Sequence, residues 1–377
     1  MVGLLTLDSK TYNYGGFLQG MALQDAIISL VENCEVLDYD IGQELYTFSI
    51  KRDIRNFTVA KLMDKILPHN VAPISDEVNH AIQERKLAFD LYRKESYHFS
   101  KKLSYADLHS DTLAYEQLVC GSDQIWNPDY NILPFFLNFG SAECNKIIYA
   151  ASIGRDYLTR REKNVYKQLL KYPRYISVRE KSAQDIIAGL TSKPVHLVLD
   201  PTLLHQKHYW HSKANQSKLN YDNYIFCYFL EMTEEKIKAA NAFAKKNQCS
   251  VIAIPYLHNQ DETFSKKLDG RLISNVNPAD FLHLIRNANA VLTDSFHAVV
   301  FSIIFQKDFW CFGRNAGVYT MNTRLNTLLS YFGLQEKLIH TSALQNKQIG
   351  QISIDFHELE MKRLHSIDFL SKALLKK

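Results

Sequence analysis

Short apolar runs alternate with stretches of helical spacing from one end of the chain to the other. In the first half VGLLTL, CEVLDYD, QLVCGS, KIIYAASI, YISVRE and VHLVLD read as strands, with FLQGMALQDAIISLVE and EKNVYKQLLKY as helices between them. In the second half NYIFCYFL, SVIAIPYL, AVLTD and DFWCFG read as strands, and TEEKIKAANAFAKKNQ, ADFLHLIRNAN and SFHAVVFSIIFQ as helices. Thr233 before two glutamates and the pair Asn277-Pro278 are helix starts. The alternation predicts an α/β architecture with two parallel-sheet domains. The polar stretch HQKHYWHSKANQSKLNYDN separates the halves. The expected domains are residues 1–195, with a helical, basic and aromatic insertion at about 53–110, residues 196–352, and a final helix over 353–377.

Composition narrows the class. A chain of 377 residues exceeds one ordinary core, and 46% hydrophobic with 22% charged residues is a globular profile without long disordered linkers. The formal charge of +4 is too small and too dispersed for a nucleic-acid footprint, yet it leaves an anionic small substrate open. The first residues lack a basic n-region and no apolar run reaches membrane-spanning length, which predicts a cytoplasmic protein. Cys34, Cys120, Cys144, Cys227, Cys249 and Cys311 are scattered without a C-x-x-C pair and read as reduced core residues.

Ligands of open parallel sheets bind beyond the carboxyl ends of the strands, where loops enter helix N-termini with free N–H groups. Applied to each strand, that rule collects Asn13, Gly15 and Gly16; then Gly121, Ser122, Asp123 and Gln124; then Arg179 with Glu180; then Asp200; then Asp294, Ser295 and His297. Gly121 permits close backbone approach and Trp126 anchors the loop, whereas an ordinary connection capped by Asp123 is the alternative. His297, in the first turn of an apolar helix, is the sharpest candidate for acid/base chemistry, against a core histidine bonded to a carbonyl. Arg179 suits a bidentate clamp on phosphate or carboxylate, or a pair with Glu180 or another acid. His205, His208 and His211 drift around a helix without a carboxylate or cysteine and predict no metal site. Arg85, Lys86, Arg93, Lys94, Lys101 and Lys102 of the insertion read as a solvated helical face, or as a flap over an acidic glycan or a membrane contact.

Taken in order, NYGGFLQ (Asn13 to Gln19), GSDQIWN (Gly121 to Asn127), SVRE (Ser177 to Glu180), LDPTLL (Leu199 to Leu204), TDSFH (Thr293 to His297) and NTR (Asn322 to Arg324) carry a resemblance. The chain resembles the polysaccharide pyruvyl transferase family over nearly its whole length. The resemblance implies two Rossmann-like domains similar to GT-B glycosyltransferases, an active site in the cleft between them, and a C-terminal helix that can cross back to the first domain. It also implies transfer of an enolpyruvyl group from phosphoenolpyruvate to a sugar hydroxyl of a cell-surface polysaccharide or its precursor, closing a pyruvate ketal. Phosphoenolpyruvate is then the donor substrate, with no metal or organic cofactor. The acceptor is a glycan or lipid-linked oligosaccharide, met in the cytoplasm or at the inner face of the membrane.

Carried onto this sequence, Arg179 and the helix start at Ser295 to His297 would hold the donor's phosphate and carboxylate. His297 would act as general acid or base, with Asp123 as its catalytic companion. Asn13, Gly15, Gly16, Gly121, Ser122, Gln124, Asp200 and Arg324 complete the expected substrate-binding set. Ser295 stands where several family members carry arginine, so Arg324 or Arg314 would have to supply that charge. Three other readings stay open: nucleotide-sugar-dependent glycosyl transfer, a catalytically silent glycan-binding member, and a dinucleotide oxidoreductase using Asp38 and Asp40. Against the last, NYGG departs from G-x-G-x-x-G.

Overall fold

Two parallel sheets, one from each half of the chain, carry the structure. The computed structural model describes residues 1–7, 11–39, 76–110, 113, 115–129, 133–255, 267–316, 319–320 and 323–375. Asp40, Asn322 and the part of the expected insertion at 53–75 lie outside the described residues.

The first half runs β1 (Val2–Leu5), α1 (Tyr14–Val31), β2 (Cys34–Tyr39), α2 (Asp76–Ser96), β3 (Phe99–Leu103), β4 (Gln117–Asp123), β5 (Asn145–Ala151), α3 (Arg160–Leu169), β6 (Tyr175–Val178), α4 (Lys181–Ala188) and β7 (Val195–Leu197). Its sheet has the order β3-β2-β1-β4-β5-β6-β7, all neighbours parallel. The second half runs α5 (Lys207–Ala214), β8 (Tyr224–Tyr228), α6 (Glu234–Lys246), β9 (Ser250–Ala253), β10 (Arg271–Leu272), α7 (Pro278–Asn287), β11 (Ala290–Thr293), α8 (Phe296–Phe305), β12 (Asp308–Phe312), α9 (Thr323–Tyr331), β13 (Leu338–Ile339) and α10 (Phe356–Leu375). Its sheet, β10-β9-β8-β11-β12-β13, is parallel as well. YIFCY in β8 and DFWCF in β12 are buried along their whole length, as strands covered on both faces must be.

The structure differs from the sequence expectation in several places. The insertion is not wholly helical, because Phe99–Leu103 forms the outermost strand of the first sheet and puts Lys101 and Lys102 on it. The first sheet extends to Leu197, past the expected boundary at 195. The polar stretch after it folds into α5, whose Trp210 is fully buried, donates to the Thr202 carbonyl at 2.9 Å and meets Phe301 edge-on.

Helix α10 lies against the first sheet. The Leu199 N–H donates to Ser366 Oγ at 2.9 Å, Gln117 Nε2 donates to the Leu374 carbonyl at 2.8 Å, and Asn145 Nδ2 donates to the Ala373 carbonyl at 2.7 Å. The two halves also share an apolar core along α1. Tyr14 stacks on Phe281 with ring centroids 4.6 Å apart, and its hydroxyl donates to the Val276 carbonyl at 2.8 Å. Arg85 does not sit on a solvated face. It is 1% exposed, and from α2 it donates to the carbonyls of Ser274 at 2.8 Å and Pro255 at 2.6 Å, just beyond β10 and β9. The six cysteines are free; Cys249 is half-buried and the others are buried. Among the described residues no helix is long and apolar enough to cross a membrane.

Candidate active site

Strand order reverses between β1 and β4 in the first sheet and between β8 and β11 in the second, and such reversals open crevices at the carboxyl ends of the strands. The loops leaving β1, β4 and β11 meet there, together with the ends of β6 and β7. They assemble a buried charge cluster with Arg179 at its centre.

Arg179 follows β6 and is 4% exposed. Its Nη2 donates to Asp123 Oδ1 at 2.5 Å, its Nη1 to Asp200 Oδ2, and its Nε to Glu180 Oε1 at 3.2 Å. The guanidinium also faces the Phe296 ring, 4.6 Å from its centroid. Three acidic side chains therefore hold the side chain that the sequence offered as an anion clamp, which makes it the organiser of the cluster. Arg324, at the start of α9, brings a second guanidinium from the other half, with Nη1 3.3 Å from Asp123 Oδ1. The Gln124 amide, turned with its oxygen toward Arg324, accepts from both terminal nitrogens at 2.9 and 3.1 Å.

Asp200 opens the turn Pro201–Leu203; its Oδ1 accepts from the Thr202 N–H at 3.0 Å and the Thr202 hydroxyl at 2.6 Å. Its Oδ2 lies 3.6 Å from His297 Nε2, beyond a direct hydrogen bond, and that nitrogen has no hydrogen-bond partner among the described residues. Burial pushes the carboxyls of Asp200 and Asp123 up, but their neighbours outweigh it: the His297 ring, the Arg179 guanidinium and the Thr202 hydroxyl at Asp200, and Arg179, His297 and Arg324 at Asp123. Both are held below the usual range. Glu180 goes the other way, because burial dominates and raises it despite Arg179. Burial likewise lowers Arg324.

Several residues of the expected binding set have internal partners. Asn13 caps α1 by accepting from the Gly16 N–H at 3.1 Å. Gly15 packs directly on the His297 ring. Gly121 is close-packed for the sake of β5: a β-carbon there would lie 2.2 Å from the Tyr149 carbonyl oxygen. Ser122 is fully buried and both its N–H and its hydroxyl donate to Gln19 Oε1, at 3.0 and 2.5 Å. The two glycine-containing motifs thus dock on one another through Gln19. Ser295 caps α8, its hydroxyl accepting from the Ala298 N–H at 3.5 Å. Asp294 points into the second half, accepting from the N–H groups of Leu230 and Glu231 and from Lys236. Asp123 caps no helix and Trp126 is buried against Phe136, so GSDQIWN is a built loop presenting Asp123 and Gln124. His205 Nε2 meets the Ala22 carbonyl at 2.8 Å, and no group of metal-ligating side chains forms among the described residues.

Sequence reasoning gathered Glu180 at a strand end but left it, with Phe296 and Tyr331, out of the expected catalytic and substrate-binding set. With Arg179, Asp200 and Arg324 they line a narrow cavity whose water-accessible volume is about 10 Å³, room for about one water. A groove of about 310 Å³ adjoins it, sharing Val198, Leu199 and Tyr331 and walled by Met361, Lys362 and His365. A more open groove of about 660 Å³ between α2 and the end of β10 contains none of the clustered charges. The clustered charges line the smaller space.

The chain's fold is similar to that of UDP-GlcNAc 2-epimerase from Neisseria meningitidis, solved bound to UDP-GlcNAc, with 10% identity over 100% of both chains and a TM-score of 0.52. A looser likeness, with 12% identity and a TM-score of 0.37 over 100% of this chain and 98% of the other, joins it to the ADP-heptose lipopolysaccharide heptosyltransferase II of E. coli. At such identities the epimerase likeness shows a fold, two parallel-sheet α/β domains of the GT-B type, and no substrate. No curated protein matches the chain. The family model for polysaccharide pyruvyl transferase matches residues 13–315, from the cap of α1 past His297 to the segment after β12. That span takes in every member of the charge cluster except Arg324, and the chain belongs to the polysaccharide pyruvyl transferase family and is a transferase.

Proposed function

We propose that this transferase moves an enolpyruvyl group from phosphoenolpyruvate onto a sugar hydroxyl of a polysaccharide or its lipid-linked precursor and closes a cyclic pyruvate ketal. One observation carries the reading: three buried polar atoms without a hydrogen-bond partner among the described residues, Arg324 Nε, His297 Nε2 and Glu180 Oε2, gather in one cluster between the halves. Unpaired buried groups are costly and point to a ligand that completes them. In this reading Arg324 meets the donor's phosphate or carboxylate, in place of the arginine that Ser295 replaces. His297 exchanges protons with sugar and phosphate oxygens, positioned by Asp200. Arg179 keeps Asp123 and Asp200 in place. The donor's anions are met by guanidinium and N–H donors, so the reading calls for no metal. The groove beside α10 offers the acceptor a way in. The small free volume implies that the halves separate to admit substrate.

The test is incubation of purified protein with phosphoenolpyruvate and a panel of glycans and lipid-linked oligosaccharides, following phosphate release and the ketal methyl signal by NMR. A nucleotide sugar serves as comparison donor. Ketal formation lost in His297→Ala and Arg324→Ala is the expected result. Sugar transfer from the nucleotide sugar, without phosphate release from phosphoenolpyruvate, would replace this reading with glycosyl transfer.

A further inference from the structure

Glu180 is 2% exposed and lines the narrow cavity with Arg324, Phe296 and Tyr331. The charged and polar groups facing it come from three directions: Arg179 beside it on the strand end, Ser152 beyond β5, and Arg324 and Tyr331 on α9. Arg179 Nε donates to Oε1 at 3.2 Å, and Oε2 has no hydrogen-bond partner among the described residues. Arg179 is already bound to Asp123 and Asp200, and Arg324 to Asp123. The cluster therefore sets two guanidinium groups against three carboxyls. A buried carboxyl that shares its one close guanidinium with two other acids is pushed toward its protonated form, and here that carboxyl lines the cavity.

The proposed reaction needs an acid and a base at the same time, because the donor's methylene carbon gains a proton while the sugar hydroxyl loses one. One histidine cannot supply both. Resting on the pyruvyl-transfer reading above, we propose that Glu180 is the acid that protonates the methylene carbon, leaving His297 to the oxygen atoms. The O–H bond of Glu180 breaks as the donor's π electrons form the new C–H bond, making a methyl group. The adjacent carbon bonds to the first sugar oxygen, whose proton passes to His297. The carbon–oxygen bond to phosphate then breaks, and the departing phosphate takes the proton from His297. The second sugar hydroxyl closes the ketal and returns its proton to Glu180. Both side chains end as they began, and the diol and donor have become ketal and hydrogen phosphate.

The experiment compares wild type, Glu180→Gln and Glu180→Asp in ketal formation across pH, and in calorimetric binding of phosphoenolpyruvate. The same three proteins, in deuterated water, are assayed for deuterium entering the methylene group of recovered donor. Wild type should lose kcat/KM at high pH as Glu180 gives up its proton. Glu180→Asp should keep that limb at a shifted position. Glu180→Gln should bind donor within about threefold of wild type, lose kcat by about 100-fold or more, and place no deuterium in recovered donor. Turnover by Glu180→Gln within tenfold of wild type, or a high-pH limb unmoved in Glu180→Asp, would overturn the proposal while leaving pyruvyl transfer intact. A wild type that forms no ketal with any acceptor overturns both.

Discussion

Gly15 and His297 touch across the two halves: a β-carbon on Gly15 would lie 2.2 Å from Nδ1 of the imidazole and 2.7 Å from its Cβ. The glycine is a space reserved for one ring, in the first turn of α1. Gly15→Ala should push the imidazole away from Asp200. A displacement of about 1 Å costs catalysis about 100-fold, and overpacking costs about 1–3 kcal/mol of stability. Ketal-forming kinetics and urea unfolding of the same variant check both numbers. A fully active Gly15→Ala would mean that the ring has room to move without consequence.

Ser295 offers a contrast. Because its hydroxyl caps α8, Ser295→Ala should cost about 1 kcal/mol in unfolding free energy and leave donor affinity within a few-fold of wild type. Thermal melting and calorimetry separate the outcomes. A large loss of donor affinity with little change in stability would return Ser295 to the substrate-binding set.

The cluster should make stability depend on pH in two opposite senses. Asp123 and Asp200 are held below the ordinary value of 3.8, so the stability they contribute is complete above it and is lost as pH falls toward their folded-state values. Glu180 is raised above its ordinary 4.5, so its contribution is present below that value and is lost as pH rises through the folded-state value. Urea unfolding of wild type should therefore show stability falling below about pH 4. Glu180→Gln, which cannot ionise, should gain on wild type as the pH rises. A difference between the two proteins that stays constant from pH 4 to pH 8 would contradict the assignment.

Arg85 ties α2 to the second sheet through two backbone carbonyls. Each hydrogen bond to a charged group is worth about 1.5–3 kcal/mol, and replacing the side chain leaves both carbonyls buried. Arg85→Leu should lose about 3 kcal/mol or more in urea unfolding. A loss below about 1 kcal/mol would show that water takes over both carbonyls without difficulty.

Much of the architecture was legible because parallel strands buried on both faces announce themselves as unbroken apolar runs, and because caps such as Thr233 and Asn277 mark helix starts. β3 escaped notice because it lies at the sheet edge, where FSKKL can stay polar on its open side. The strand-end rule brought Asp123, Arg179, Asp200 and His297 to one place. It could not say that Arg179 would be enclosed by acids, since Asp123 reaches it from 56 residues away and only the parallel arrangement of β4, β5 and β6 sets that distance. The same limit applied to Gly15 and Gly121. A glycine in sequence announces a close approach, but not whether a ligand, an imidazole or a neighbouring strand makes it.

Helix α10 sets the order in which the protein can be finished. Gln117 and Asn145 wait for carbonyls at Leu374 and Ala373, and Tyr149 in β5 packs near Phe369. The half made first on the ribosome is therefore the half completed last, after every strand of the other sheet has emerged. A nascent chain paused anywhere before Phe356 exposes apolar surface that Phe369 and Leu370 cover in the finished molecule, however well its own strands have paired.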